Sequence, residues 1–363
     1  MIIESHAISQ SREASRLPLR HASVPQAACS KIAATNAETI VWRYQEGDRD
    51  FRKINLTGAN LEGVNLAGAD LSEALLGFAN LSRAFLQNTT LKQAFLCGTD
   101  LSYAKLHQSD LTDADLTKVN LRGAVLVHAQ LQRARLSGAM MQGANLRGAN
   151  LAGVNLCGAN LREINLRSCN LSSANLNWAN LDGARLSGAC LNQAALNGTC
   201  FSNAWLNGVD LSGHDLSGVN FHRARLSGGN LKGANLAGAN LSQAVMRITN
   251  LAIAKLQSAN LTSANLERAN LHGANLTLSD LTQASLAGAN LTGATMNRVN
   301  LTEADLSEAC LQQACLWRAV FCNSNLQRAN LTQASLHGAT LDEAIAPDTI
   351  LHETILPNGE CSS

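Results

Sequence analysis

From Leu56 to Leu341 a large apolar residue recurs every fifth position with no insertion or deletion, and this period constrains the fold more than any other property of the chain. Fifty-two of the fifty-eight positions in register are Leu, and the rest are Met141, Phe201, Phe221, Met246, Met296 and Phe321. Two residues before each comes a small one, Ala in forty cases, as in Ala59-Asn60-Leu61 and Ala274-Asn275-Leu276. A period of five fits neither the 3.6 of a helix nor the 2.0 of a strand, so neither element keeps the Leu row on one side for long. The chain must turn every five residues instead. Twenty residues then make a circuit with four sides, with four Leu and four Ala inward and the next circuit stacked on it through backbone hydrogen bonds. Such a chain is an all-β solenoid in which each unit touches only its neighbours.

Glycine and proline agree with this reading. Twenty-three of the twenty-seven Gly fall two residues after a central Leu, as at Gly58, Gly148 and Gly158, where a tight turn asks for positive φ. No Pro occurs between Phe51 and Ala346, which suits a stack whose N–H groups donate to the next coil.

The tandem A(N/D)LxG motif, as in Ala234-Asn235-Leu236-Ala237-Gly238, resembles the pentapeptide-repeat family over about four-fifths of the chain. The resemblance implies a right-handed quadrilateral β-helix for residues 51–346; its handedness comes from the family and not from the spacing. Fifty-eight repeats give about fourteen coils, and at ~4.8 Å per coil the rod is roughly 70 Å long.

Residues 1–36, rich in Ser, Ala, Arg and His and holding Pro18 and Pro25, are expected to be disordered, and nothing in them has signal-peptide form. In residues 37–50, Ile40, Val41 and Tyr44 stand at helical spacing and Gly47 is placed to stop a helix. The lead-in Tyr44-Gln45-Glu46-Gly47-Asp48-Arg49-Asp50-Phe51 is similar to that of cyanobacterial members, whose short capping helix covers the unpaired edge of the first coil. Residues 347–363 are read as a C-terminal cap or tail.

Net charge is +1 with 15% charged residues, and no apolar run is long enough for a membrane span, so a cytoplasmic protein without a membrane partner is expected. The ten Cys fall mostly on ordinary repeat positions, with Cys169 in place of an inward Ala, and read as small filler in a reducing compartment. No cysteine or histidine cluster has zinc spacing, and no nucleophile, base and orienting group can be assembled; no cofactor, no metal and no enzyme activity is expected. Outward Asn residues read as ladders that hydrogen-bond along the stack.

Three outward features stand apart. Arg185, Trp205 and Arg225 fall on equivalent positions of successive coils, placing an indole between two guanidinium groups. Arg122, Arg133, Arg135, Arg147, Arg162, Arg167 and Arg185 face only Glu163 and Asp182 within 122–185, a basic belt suited to an acidic protein surface; its aromatics are too sparse to favour nucleic acid. Near the C-terminus Trp317, Val320, Ile345, Ile350 and Ile355 replace polar residues, an apolar group that either the Pro347–Pro357 tail caps or a second copy covers. One inward position is unusual. His214 stands in the Ala row, either inward with room left by Gly229 or turned outward at a bulged corner.

The function that follows is a noncatalytic scaffold presenting a rigid surface to a protein partner, in regulation or assembly. The alternative within the family is the topoisomerase-interacting branch that imitates DNA with an acidic rod. Near-neutral charge, a basic middle and the lack of interrupting loops count against it.

Overall fold

The computed structural model describes residues 37–363, so the expected disorder of residues 1–36 lies outside the described residues. Helix α1 (residues 37–45) comes first. Its Ala37 and Ile40 are buried, and Val41 and Tyr44 pack against the same core. The Tyr44 hydroxyl donates to the Ala67 carbonyl at 2.9 Å, which pins the helix over the first coil. Gly47, at φ +98°, reverses the chain after the helix.

From Asp50 onward every fifth residue, with two exceptions, forms a parallel bridge to the residue twenty positions later, beginning with Asp50–Asp70 and ending with Ser335–Ile355. Four repeats therefore complete one coil. The bridging residues form four ladders, starting in order at Asp50, Asn55, Asn60 and Asn65. No extended strand occurs among the described residues; the coil is made of turns joined by single-residue bridges.

One repeat shows why Asn precedes Leu so often. Asn155 N–H donates back one coil to Ala134, while the N–H groups of Leu156 and Gly158 donate forward to Asn175 and Asn177. Ala159 N–H closes the turn on Leu156, at 3.0 Å. That leaves Cys157, whose N–H goes to the Asn155 side-chain oxygen at 3.1 Å. All five donors are thus satisfied, and the fifth needs an Asn or Asp at that position. The carboxamides also link along the stack, as in Asn165 Nδ2 to Asn145 Oδ1 at 3.0 Å.

The turns demand more than glycine supplies. All sixty-one residues two after the central position, Lys53 to Glu353, have positive φ, and thirty-eight of them are not Gly. Each such residue costs about 1 kcal/mol of backbone strain. The inter-coil bond from the same residue, such as Gln243 N–H to Thr262 at 2.9 Å, offsets it. Glycine has a second use at this position. Trp178 lies flat over Gly198, and Phe78 over Gly98, where any Cβ would collide with the ring.

The interior is the Leu and Ala rows, nearly all fully buried. Phe201 and Phe221 stack with centroids 5.2 Å apart and planes 5° from parallel. Polar residues in the Ala row bond inside it, as Thr199 Oγ1 does to the Leu176 carbonyl at 3.0 Å.

His214 breaks this pattern. Its Nε2 reaches the Leu191 carbonyl at 3.0 Å, the twenty-three-residue contact that Thr199 makes, but an imidazole is far larger than a hydroxyl. Its Nδ1 faces the Ser212 carbonyl at 3.2 Å. The ring opens a seam between the two coils. Of fifty-eight successive bridges only Cys190–Asp210 and Ala195–Asp215 are missing, on the first and second ladders. The N–H groups of Gly188, Leu191, Gln193, Leu196 and Gly198 make none of the inter-coil bonds their counterparts make. Ladder four stays closed, with Leu186 N–H to Trp205 at 2.8 Å, and ladder three keeps its bridge through Phe201 N–H to Asn220 at 2.7 Å but not the return bond from Asn220 N–H. Gly229 has no part in this: a Cβ there would meet the carbonyls of Leu226 and Val209, not His214. The bulged-corner alternative describes the geometry.

At the far end the turn-and-bridge pattern continues past Ala346 to Ile355, and Pro347–Pro357 forms coil rather than folding back. Only the last residues reverse. Cys361 pairs antiparallel with Ile355, and Ser362 N–H donates to the Thr354 carbonyl at 2.8 Å. This covers one edge and leaves the interior open, with a cavity of about 280 Å³ lined by Leu331, Leu336, Leu341, Ala346 and Leu351. Ala346, standing where other coils have Leu, makes the room.

Candidate interaction surface

With the interior filled, chemistry is confined to the outside and the two ends. Among the described residues no group of three or more His, Cys, Asp or Glu is placed to hold a metal ion. No described helix is long and apolar enough to cross a membrane. A groove of about 660 Å³ lies between α1 and the first coil, lined by Val41, Trp42, Tyr44, Leu61 and Val64.

The seven arginines of the belt do not form a belt. Position within the twenty-residue coil decides where each one goes. Arg122 and Arg162 lie on the third ladder, Arg133 on the first and Arg135 on the second, while Arg147, Arg167 and Arg185 share the fourth. Three are neutralised by neighbours: Arg133 by Asp113 at 2.6 Å, Arg162 by Asp182 at 3.0 Å, and Arg135 by Asp115 at 4.0 Å. Asp113 and Asp115 precede Arg122, so a window along the chain omits them.

Sorting by ladder gives a sharper pattern. Between residues 65 and 248 the fourth-ladder repeats carry Lys105, Arg147, Arg167, Arg185, Arg225 and Arg247 and no Asp or Glu. The other three ladders share nine Lys and Arg against ten Asp and Glu over the same span. Among the described residues Arg147, Arg167 and Arg185 make no ion pair; Arg247 is paired with Glu267 at 2.9 Å, beyond the acid-free span. Arg185 bridges to Trp205 and Trp205 to Arg225, while Arg147, Arg167 and Arg247 stand two residues further along their repeats on the same ladder. Only Arg225 stacks on the indole, at 3.9 Å, and Arg185 is left free of it. Arg185, Trp205 and Arg225 stand where Asn or Asp is usual, so Ser187, Asn207 and Ser227 lose the side-chain acceptor that serves this N–H elsewhere.

The C-terminal apolar group also divides. Trp317 is sandwiched by Arg318 at 4.6 Å and Arg298 at 4.9 Å, and Val320 is half-buried. Ile345, Ile350, Leu351 and Ile355 remain exposed around the open end, Ile345 by 60%. A third apolar group went unnoticed in the sequence: Leu75 and Phe95 on the second ladder, with Phe78 beside them 71% exposed. Its signal was two apolar residues at ladder positions usually held by Asn or Asp.

The sequence model described as pentapeptide repeats (8 copies) matches overlapping stretches from residues 50–88 to 314–352 and, within that span, leaves out only His214. The chain belongs to the pentapeptide-repeat family. Members of this family fold as a right-handed β-helix. Among solved pentapeptide-repeat structures, the chain is similar to HetL, involved in heterocyst differentiation regulation in the cyanobacterium Nostoc sp. strain PCC 7120, at 26% identity over 89% of this chain and 98% of that one, with a TM-score of 0.27. It is also similar to Rfr23 of the cyanobacterium Cyanothece 51142, at 26% identity over 46% of this chain and 97% of that one (TM-score 0.17). QnrB1, a plasmid-mediated fluoroquinolone resistance protein, is 18% identical over 52% of this chain and 92% of that one (TM-score 0.28). No curated protein matches. Family membership rests on the repeat match, not on these superpositions.

Proposed function

We propose that this pentapeptide-repeat protein is a noncatalytic, cytoplasmic scaffold: a quadrilateral rod whose four ladders form four flat walls and which binds a protein partner through its outer surface. The observation that supports this most is the apolar, filled interior between the two ends. Among the described residues inward positions are filled by Leu, Ala and their small substitutes, and the cavities of about 660 and 280 Å³ sit at the ends of the stack, away from the walls. The test is a pull-down from native lysate after nuclease treatment. A protein retained in stoichiometric amount supports the scaffold; loss of every bound species to nuclease overturns it.

The DNA-mimic reading is disfavoured, because a mimic needs a run of acid along one face and the fourth wall carries the opposite charge between residues 65 and 248. The open C-terminal end fits a second copy. In a two-fold interface the same apolar rim serves both subunits. Ile350→Asp and truncation after Ala344 should each turn a dimer into a monomer in sedimentation, and a wild-type chain that is monomeric at tens of micromolar would remove this interface.

A further inference from the structure

We infer that the fourth wall between Arg147 and Arg247 binds an acidic α-helix of a partner protein, laid along the rod axis. This names the partner chemistry of the scaffold proposed above and rests on that reading.

Arg147, Arg167, Arg185, Trp205, Arg225 and Arg247 occupy six consecutive coils of one wall, with no acid beside them on that wall up to Ile248. Five steps of ~4.8 Å span ~24 Å, the length of about sixteen helical residues. The pitch decides which anion fits. Carboxylates on one helix face recur about every 5.4 Å, so the mismatch with the coils along the axis is ~0.6 Å per step and ~3 Å over the whole run, within the swing of an arginine side chain. Arg147, Arg167 and Arg247 stand two residues further along their repeats than Arg185 and Arg225, so the cations form two files between which the helix lies. An extended peptide presents same-side residues about every 6.7 Å, and its error grows to roughly 9 Å over the same run. Three of the cations, Arg147, Arg167 and Arg185, have no ion-pair partner among the described residues, and guanidinium forks suit carboxylates.

Nucleic acid fits less well. Single strands are held in grooves with successive aromatic platforms, and this wall is flat with one indole whose face is covered by Arg225 at 3.9 Å. A flat wall also cannot enter a duplex groove to read base edges. Trp205, beside these arginines, supplies an apolar anchor of the kind that dominates protein interfaces, and it reports on the site by its fluorescence.

The experiment uses the full chain at physiological salt and a labelled helical peptide of eighteen residues with Glu in one i, i+4 stripe. Two probes compete: a peptide of the same composition with Glu spread around the helix, and an eighteen-nucleotide oligo(dT). The striped peptide should bind at least tenfold more tightly than either and shift the tryptophan emission, a shift that Trp205→Phe should remove. Arg167→Glu with Arg185→Glu should weaken it at least tenfold, and Arg167→Gln with Arg185→Gln should weaken it without adding acid. Arg133→Glu on the first wall should leave it unchanged. Equal binding of the dispersed peptide, tighter binding of oligo(dT), or full affinity in both double variants overturns the assignment. If those double variants still retain the lysate partner while wild-type protein ignores the striped peptide, the scaffold stands and the wall assignment falls.

Discussion

Replacing His214 by Ala should stabilise this protein, the reverse of what truncating a half-buried side chain usually does. The seam leaves eight inter-coil bonds unmade: the five from Gly188 to Gly198 and the N–H groups of Asp210, Asp215 and Asn220. A backbone hydrogen bond is worth about 1 kcal/mol net over its hydrated alternative. If the coils close by half, about four bonds form, and losing the His214–Leu191 contact costs about 1, for a gain of roughly 3 kcal/mol. The Ala row elsewhere shows that Ala fits. Guanidinium denaturation should move to a higher midpoint, and hydrogen exchange at Leu191, Gln193 and Leu196 should slow to the rate of their counterparts at Leu171, Ser173 and Leu176. A lower midpoint with unchanged exchange would refute the reasoning, because the imidazole would then be a support and not a wedge.

Leu156→Ala should cost about 2 to 5 kcal/mol from lost burial plus cavity, whereas Asn155→Ser removes one side-chain acceptor and should cost about 1; similar denaturant midpoints for the two would contradict the inward and outward assignment. Gly198→Ala should destabilise more than Gly158→Ala, since both have positive φ but only Gly198 lies under an indole; the thermal midpoints decide, and Trp178→Ala should restore part of the difference. The Asp50 carboxyl is held down to about 2, chiefly by the Arg52 side-chain hydrogen bond. Its folded value lies below the ~3.9 of an unfolded chain, so its contribution is full above about pH 4 and is lost as pH falls toward 2; Asp50→Asn should flatten that limb of an acid titration followed by circular dichroism. Burial pushes the Cys169 thiol up to about 12, while the Ser172 hydroxyl beside Cys190 lowers that thiol. Alkylation at pH 8, mapped by peptide mass spectrometry, should label Cys190 before Cys169 and reach Cys169 only on unfolding; the opposite order would place Cys169 outside the core.

Much of the fold was legible because a five-residue period admits so few solutions. Leu56 and its fifty-seven successors had to face one way, and Ala59 and its row had to face the same core. The turns were legible only where glycine marked them. Ile248 and Ile253 adopt the same left-handed conformation, and nothing in a β-branched residue announces it. The stack, not the side chain, imposes that φ. The site was harder for a geometric reason. Charge counted along the chain mixes residues from all four ladders, so Arg133 and Arg147 look like neighbours although they belong to different ladders. Arg247, far from Arg147 in sequence, lies on the same column. His214 was visible as an anomaly in the Ala row, but its effect was not, because the seam depends on where a ring that size finds an acceptor.

The spacing of twenty between bridged residues also limits how such a gene can change length. Loss of five residues would keep every Leu inward and every turn intact, yet every outward residue beyond the cut would pass to the preceding ladder. The rod would still fold, with its downstream surface chemistry dealt to the wrong walls. Loss or gain of twenty would shorten or lengthen each wall by one rung and leave the pattern in place. Stability therefore tolerates changes in units of one repeat, and recognition only in units of four.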